Sequence, residues 1–188
     1  MEPIDLFITC FLRPQFTGET LRYLFERTEY PFRLFMIHQG GNEDVLRDYR
    51  DRIFLILDTD ENIGIHPSWN IALALAESKY FITSDNDIYV PDLTDEPPFN
   101  KEYGRKGPCW LERLVKLMEE RKNYGAISLH PHVLIGNVSF DPNDPEDVKE
   151  VDHCGAVMRI MNRAAVWSAG GWEREIKSGR NHEEKTIC

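Results

Sequence analysis

The chain has 188 residues, enough for one domain with a full core and short for two. Its composition is 41% hydrophobic, 29% charged and 11% aromatic, which excludes a disordered chain. Acidic residues outnumber basic ones by 32 to 22, so the formal charge is −10, a field that repels nucleic acid and anionic membrane surfaces yet permits a local basic site.

Leu6 to Leu12 is a continuous apolar run of strand length. Leu21, Leu24 and Phe25 then fall on one helix face. Leu34 to Ile37 predicts a second strand, and Asn42 is placed to cap a short helix carrying Val45, Leu46 and Tyr49. Ile53 to Leu57 predicts a third strand. Ser68 is placed to cap a helix running through Ala72 to Ala76. Tyr80 to Thr83 predicts the fourth strand, and Leu111, Leu114, Val115 and Met118 mark another helix. Ala126 to Leu129 and Val157 to Ile160 are the last strands. Strands that are apolar on both faces and alternate with helices indicate an α/β fold with a mostly parallel, doubly covered sheet. Two long connections, Ile88 to Pro108 and Pro131 to Glu150, have the length of lids or binding loops and equally of surface insertions.

The longest apolar stretches fall far short of the ~20 residues of a membrane span. Met1-Glu2-Pro3-Ile4-Asp5 has no basic leader region, and the four cysteines, Cys10, Cys109, Cys154 and Cys188, form no CxxC pair. These features predict a cytoplasmic protein in a reducing compartment. Asn137-Val138-Ser139 matches a glycosylation sequon but lacks a secretion signal to support it.

In open α/β sheets ligands bind beyond the carboxyl ends of the strands. Those positions read Arg13-Pro14, His38-Gln39-Gly40-Gly41-Asn42, Asp58 to Gly64, and Ser84-Asp85-Asn86-Asp87. The chain has no GxGxxG after a strand, no GxxxxGK[ST] and no GxSxG, which argues against dinucleotide, P-loop and α/β-hydrolase chemistry. Asp85-Asn86-Asp87 is the most informative segment. Two carboxylates one residue apart can share a hard cation such as Mg²⁺ or Mn²⁺ with substrate phosphates. The competing reading is a plain turn, since Asp and Asn favour turns.

From about Leu6 to Glu184 the chain resembles the family 2-like glycosyltransferases of the GT-A fold. The similarity lies in Asn62-Ile63-Gly64, Trp69 to Ala74, the strand Tyr80 to Asp87 ending in Asp-X-Asp, Cys154 to Met158, Asn162 to Val166, and Gly170-Gly171-Trp172-Glu173. The resemblance implies one GT-A-like domain over residues 1–188. It implies transfer of a sugar from a UDP- or GDP-sugar to a glycan or other hydroxyl acceptor, with inversion. Asp87 and Asp85 would hold Mn²⁺ or Mg²⁺ on the diphosphate, Asp85 also facing the ribose or sugar. Such a metal neutralises charge building on the leaving group.

Two positions depart from the family pattern. An acidic residue often follows the second strand, whereas here the place reads His38-Gln39, and Gln39 can hydrogen-bond a base edge. The chain also stops at Cys188, where relatives generally continue, so a minimal and a truncated enzyme are both open readings. Thr9, Gln39 and Asn62 are expected to line the nucleotide pocket, joined by Gly64 and Asn70 from the segment that resembles the family.

Inverting transfer also needs a carboxylate to accept the acceptor's proton. His182-Glu183-Glu184 stands where the family carries its acidic pair; Glu183 is the preferred base, Glu184 the second candidate, and His182 a candidate metal ligand. Glu173 is set aside as a capping residue, and Asp152 because it lies at a strand start. Arg174, Lys177, Arg180 and Lys185 read equally as a clamp on the diphosphate and as a solvated face. His153 reads as a structural histidine. Trp69, Trp110 and Trp172 are aromatic platforms for which core packing is the default, and Trp172 is the best sugar-facing candidate. Two rival readings are a nucleotidylyltransferase, disfavoured by Phe11 to Gln15 after the first strand, and a degenerate nucleotide- or glycan-binding module.

Overall fold

Continuous apolar runs become strands with cores on both faces, because such strands have no polar side to offer water. The computed structural model describes residues 1–88, 90, 109–121, 124–128 and 157–172. The chain order is β1 (Ile4–Cys10), α1 (Pro14–Arg27), β2 (Phe32–His38), α2 (Glu43–Asp48), a 3₁₀ turn (Arg50–Arg52), β3 (Leu55–Asp58), α3 (Ile65–Leu75), β4 (Tyr80–Asp85), α4 (Trp110–Glu120), β5 (Ala126–Ile127), β6 (Arg159–Asn162) and α5 (Arg163–Ser168). Among the described residues these strands form one sheet in the order β3-β2-β1-β4-β6-β5. β1 to β4 are parallel, and β6 runs antiparallel between β4 and β5. The α/β expectation is met.

Side-chain alternation splits the core in two. Leu6, Ile8, Leu34, Met36 and Ile82 face α1, α2 and α4, where Leu21, Leu24, Leu46, Trp110, Leu114 and Met118 are buried. Phe7, Phe35, Ile37, Phe81 and Met161 face α3 and α5, with Trp69, Ala72, Leu73, Val166 and Trp172. No helix among the described residues is long and apolar enough to cross a membrane.

Several boundaries differ from the sequence reading. β1 starts and ends two residues earlier, because its ladder runs from Ile4 opposite Phe32 to Cys10 opposite His38. Phe11 and Leu12 leave the sheet and are exposed in the turn. β3 begins at Leu55 and is an edge strand, so Phe54 and Leu55 stay exposed on what looked like a buried run. Ser68 does not cap α3. The helix begins earlier at Ile65 and accommodates Pro67 in its first turn, where a missing N–H costs little. Asn42 occupies the N-cap position of α2, and its carbonyl accepts from Leu46 N–H at 2.9 Å, but its side chain makes no cap bond. α5 was not anticipated; Asn162 caps it by accepting from Ala165 N–H at 3.2 Å. Most of both long connections, and all of residues 173–188, lie outside the described residues.

The opposite, amino edge of the sheet is fastened by a buried carboxylate. Asp5 accepts from Arg33 Nε at 2.7 Å and from the backbone N–H groups of Glu77 at 2.7 Å and Ser78 at 3.0 Å. Burial raises its pKa, but the Arg33 bond and the two amides outweigh that and hold it below the usual carboxylate value. A lowered folded-state pKa contributes stability that is present above the unfolded value of 3.8 and lost as pH falls through the folded value. Asp5→Ala is therefore expected to cost about 2–4 kcal/mol in urea unfolding near neutral pH. The gap from wild type should narrow in acid, and an equally stable variant would contradict this account.

Candidate functional site

Parallel pairing brings the carboxyl ends of β1 to β4 to one edge. Cys10 pairs with His38, His38 with Asp58, and Thr9 with Asp85. Thr9, Thr83, Asp85 and Arg159 share the sheet face of Phe7 and Phe81, since each lies an even number of residues away or directly opposite in the ladder.

The turn after β4 is anchored by its middle residue. Asn86 is buried and donates from Nδ2 to the Leu12 carbonyl at 3.1 Å and to Thr17 Oγ1 at 2.7 Å. Its own carbonyl accepts from Thr20 Oγ1 at 3.0 Å. Thr17 passes the chain on, donating to Asn42 Oδ1 at 2.6 Å. Asn42 N–H donates to His38 Nε2 at 3.3 Å, which assigns the remaining ring proton to Nδ1, 2.6 Å from Asp58 Oδ1. One directed hydrogen-bond chain thus ties the loops after β2 and β4 to α1 and β3. His38 has both ring nitrogens engaged and serves as structure rather than as a base.

With Asn86 drawn inward, the flanking carboxylates lie outside this chain. The Asp85 side chain makes no hydrogen bond to the described residues. Burial above all, then the Asp87 charge, raises its pKa to about 6, against the pull of Arg159. The Asp87 side chain is 32% exposed and forms an ion pair with Arg13. Arg159 is only 1% exposed and stacks on Trp69, its guanidinium carbon 4.3 Å from the ring centroid and 5.5 Å from that of Trp172. The site therefore sets two carboxylates against two guanidinium groups. Thr83 Oγ1 and the indole N–H groups of Trp69 and Trp172 are buried with no hydrogen-bond partner among the described residues. Cys10 is no nucleophile, because burial, then the Asp58 and Glu43 charges, push its thiol up to about 12.

Among the residues singled out from sequence, Asp85 and Asp87 come together at the strand end, and half-buried Thr9 lies beside Asp85 in the ladder. Asn62 is exposed, and its Oδ1 accepts from Gly64 N–H at 2.9 Å. Gly64 itself has φ +82° at the head of α3, a conformation open mainly to glycine.

Gln39 is not offered to a base as expected. It is 4% exposed, with Oε1 accepting from Gly64 N–H at 3.2 Å and Nε2 donating to Ser68 Oγ at 2.7 Å. Asn70 is also spent internally: it donates to the Trp172 carbonyl at 2.8 Å and accepts from Trp172 N–H at 2.9 Å. A Cβ at Gly171 would lie 2.5 Å from Asn70 Oδ1, so this clasp requires glycine. Trp172 is 3% exposed against Trp69 and belongs to the core, not to an open sugar platform. Trp69 and Trp110 are core residues as well. His182, Glu183, Glu184, Glu173, Asp152, His153 and the basic cluster Arg174, Lys177, Arg180 and Lys185 lie outside the described residues.

Sequence reasoning passed over Arg159 and Thr17. An arginine inside the apolar segment Val157 to Met161 was the available signal for the first. Thr17, one polar residue in an ordinary helix, carried none.

The donor set suits a hard divalent cation. The Asp85 carboxylate accepts no hydrogen bond from the described residues, and Asp87 is held among them by a surface ion pair. Among the described residues no three His, Cys, Asp or Glu side chains converge, so substrate oxygens and water would complete such a shell.

The chain matches no protein-family model and no curated protein sequence. Solved structures do resemble it. A mannosyltransferase, PcManGT from Pyrobaculum calidifontis in complex with GDP-Man and Mn²⁺, superposes with a TM-score of 0.66 at 14% identity, over 97% of this chain and 49% of that one. TarS 1–349 of S. aureus in complex with UDP-GlcNAc gives 0.67 at 15% identity, over 98% of this chain and 51% of that one. TarS 1–349 with UDP gives 0.67 at 14% identity, over 95% and 52%. The chain spans about half the length of these neighbours, and at such identity the likeness is one of fold, the GT-A-like α/β sheet.

A carboxyl whose folded pKa is raised destabilises the fold wherever it must ionise. Asp85→Asn is accordingly expected to raise thermal stability above pH about 6, the gain fading as pH falls and vanishing below 3.8, where wild-type Asp85 is protonated in both folded and unfolded chains. Melting curves across this range check it, and a pH-independent difference would contradict it.

Proposed function

We propose that this chain is the nucleotide-sugar-binding part of a glycosyltransferase that moves a sugar from a UDP- or GDP-sugar to an acceptor hydroxyl with inversion, in a reducing, cytoplasmic setting. The observation that carries the reading is Asp85 and Asp87 standing free of the Asn86 anchor at the carboxyl edge of a GT-A-like sheet. The neighbours' ligands, GDP-Man, UDP and UDP-GlcNAc, support it.

Asp85 and Asp87 would hold Mn²⁺ or Mg²⁺, with His182 as a further candidate ligand. Bound there, the ion would supply Lewis-acid stabilisation of the leaving diphosphate. Thr9, near the end of β1, and Asn62, in the loop after β3, flank the proposed nucleotide position, and the Gly64 turn leaves space for a close approach. Gln39 shapes that turn from behind by holding Gly64 and Ser68. Asn70 and Gly171 fix Trp172, and so the start of the segment that leads to Glu183 and Glu184. In the transfer, the acceptor oxygen bonds to the anomeric carbon as its proton passes to a carboxylate, and the bond to the diphosphate oxygen breaks. Glu183 is the proposed proton acceptor, with Glu184 the second candidate.

Calorimetry of UDP and GDP in Mn²⁺ and in EDTA tests the cation-dependent site. Binding should require the metal, and Asp87→Ala should weaken it while leaving the fold intact. Equal affinity in both buffers would contradict the proposal. For the base, Glu183→Gln should keep nucleotide binding and lower transfer by ~10²-fold or more. Unchanged turnover would move the role to Glu184.

A further inference from the structure

The β1–α1 turn has a strained backbone. Leu12 and Arg13 both have φ +55°, a left-handed conformation uncommon outside glycine and rarer in succession. Contacts from three directions hold the turn there. Leu12 N–H donates to the Gly40 carbonyl at 2.9 Å, and the Leu12 carbonyl accepts from Asn86 at 3.1 Å. The Arg13 carbonyl accepts from Thr17 N–H at 3.1 Å. Backbone strain that the surroundings over-determine collects at functional positions. Here its effect is to put the Arg13 guanidinium on the Asp87 carboxylate.

That pairing is well suited to exchange. The Arg13 side chain is 62% exposed, and an exposed ion pair holds weakly. The two strand-end carboxylates repel each other, and Arg159 already offsets Asp85 from the buried side. Arg13 therefore neutralises the outer member of the pair. A divalent cation on Asp87 brings twice the charge to the same oxygens and repels the guanidinium. The Arg13 backbone stays fixed at the start of α1, so the released side chain remains at the site. A guanidinium fork is matched to phosphate oxygens.

We infer that Arg13 is an exchanging counter-charge, paired with Asp87 when no cation is bound and with the phosphates of a nucleoside diphosphate when a divalent cation occupies Asp87. The inference rests on the cation reading proposed above and adds a residue and a binding order to it. It makes cation and nucleotide binding mutually reinforcing, because each favours the arrangement in which Asp87 and Arg13 are apart.

Calorimetry on the full chain separates the possibilities, with Mn²⁺ alone and with UDP or GDP at saturating Mn²⁺. Arg13→Gln removes the competitor, so Mn²⁺ alone should bind about three- to ten-fold more tightly. The same variant should bind the nucleotide about ten-fold more weakly in Mn²⁺. Arg13→Lys keeps the charge without the fork. It should leave Mn²⁺ affinity near wild type and weaken the nucleotide less, and it carries the test should Arg13→Gln fail to fold. Asp87→Asn is the control. If it loses Mn²⁺ while Arg13→Gln binds Mn²⁺ no more tightly than wild type, or binds nucleotide equally well, the exchange is overturned alone. If Asp87→Asn binds Mn²⁺ as wild type does, the cation reading falls and the exchange with it.

Discussion

The hydrogen bond from Asn86 Nδ2 to Thr17 Oγ1, 2.7 Å long and buried, is the constraint on which the site depends. A strand that ends in Asp-Asn-Asp can turn either its amide or its carboxylates inward. Burying both carboxylates fully would cost several kcal/mol each, and the partial burial of Asp85 already raises its pKa, whereas a buried amide is stable once its hydrogens are placed. Leu12 and Thr17 place them, and Thr17 is in turn held by Asn42 and through it by His38 and Asp58. The loops that any ligand at this edge must touch are thus tied to one another by hydrogen bonds as well as carried on the packed core.

The same arrangement explains the electrostatics. The chain carries a net charge of −10, yet its carboxyl edge is locally balanced, with Asp85 opposed by Arg159 and Asp87 by Arg13. The balance is uneven. Arg159 is buried and stacked on tryptophan, while Arg13 is exposed on a strained turn. One carboxylate keeps a fixed partner and the other a replaceable one. A site built for stability alone would leave neither the Asp85 side chain without a hydrogen bond among the described residues nor two successive residues in the left-handed region.

Most of the fold was legible because period and apolar runs report burial directly. The alternation of runs and helical faces predicts β1 to β4 and the helices between them. The errors are local. Leu12 reads as strand because it is apolar, but the ladder ends at Cys10, and β3 reads as buried although it lies at the sheet edge. The candidate site was legible only in part. Asp85 and Asp87 stand out because two carboxylates one residue apart at a strand end can share a cation, although Asp and Asn are also common turn residues. Gln39, Asn70 and Trp172 also sit near this edge, but position along the chain does not say where a side chain spends its hydrogen bonds. Here Gln39 closes the Gly64 turn, Asn70 clasps the Trp172 backbone, and the indole packs on Trp69. Arg159 comes from a strand some 75 positions downstream of Asp85 in the numbering and meets it only through antiparallel pairing of β6 with β4.

The central claim is that the Asp85–Asp87 edge receives a divalent cation together with a nucleoside diphosphate. A crystal structure of the chain grown with UDP or GDP and Mn²⁺, with anomalous data collected for manganese, tests it most directly. The account requires a manganese peak within coordination distance, ~2.0–2.3 Å, of an Asp87 carboxylate oxygen, adjacent to the diphosphate. Nucleotide bound elsewhere on the sheet, or at this edge with no manganese peak and Arg13 still on Asp87, would contradict it.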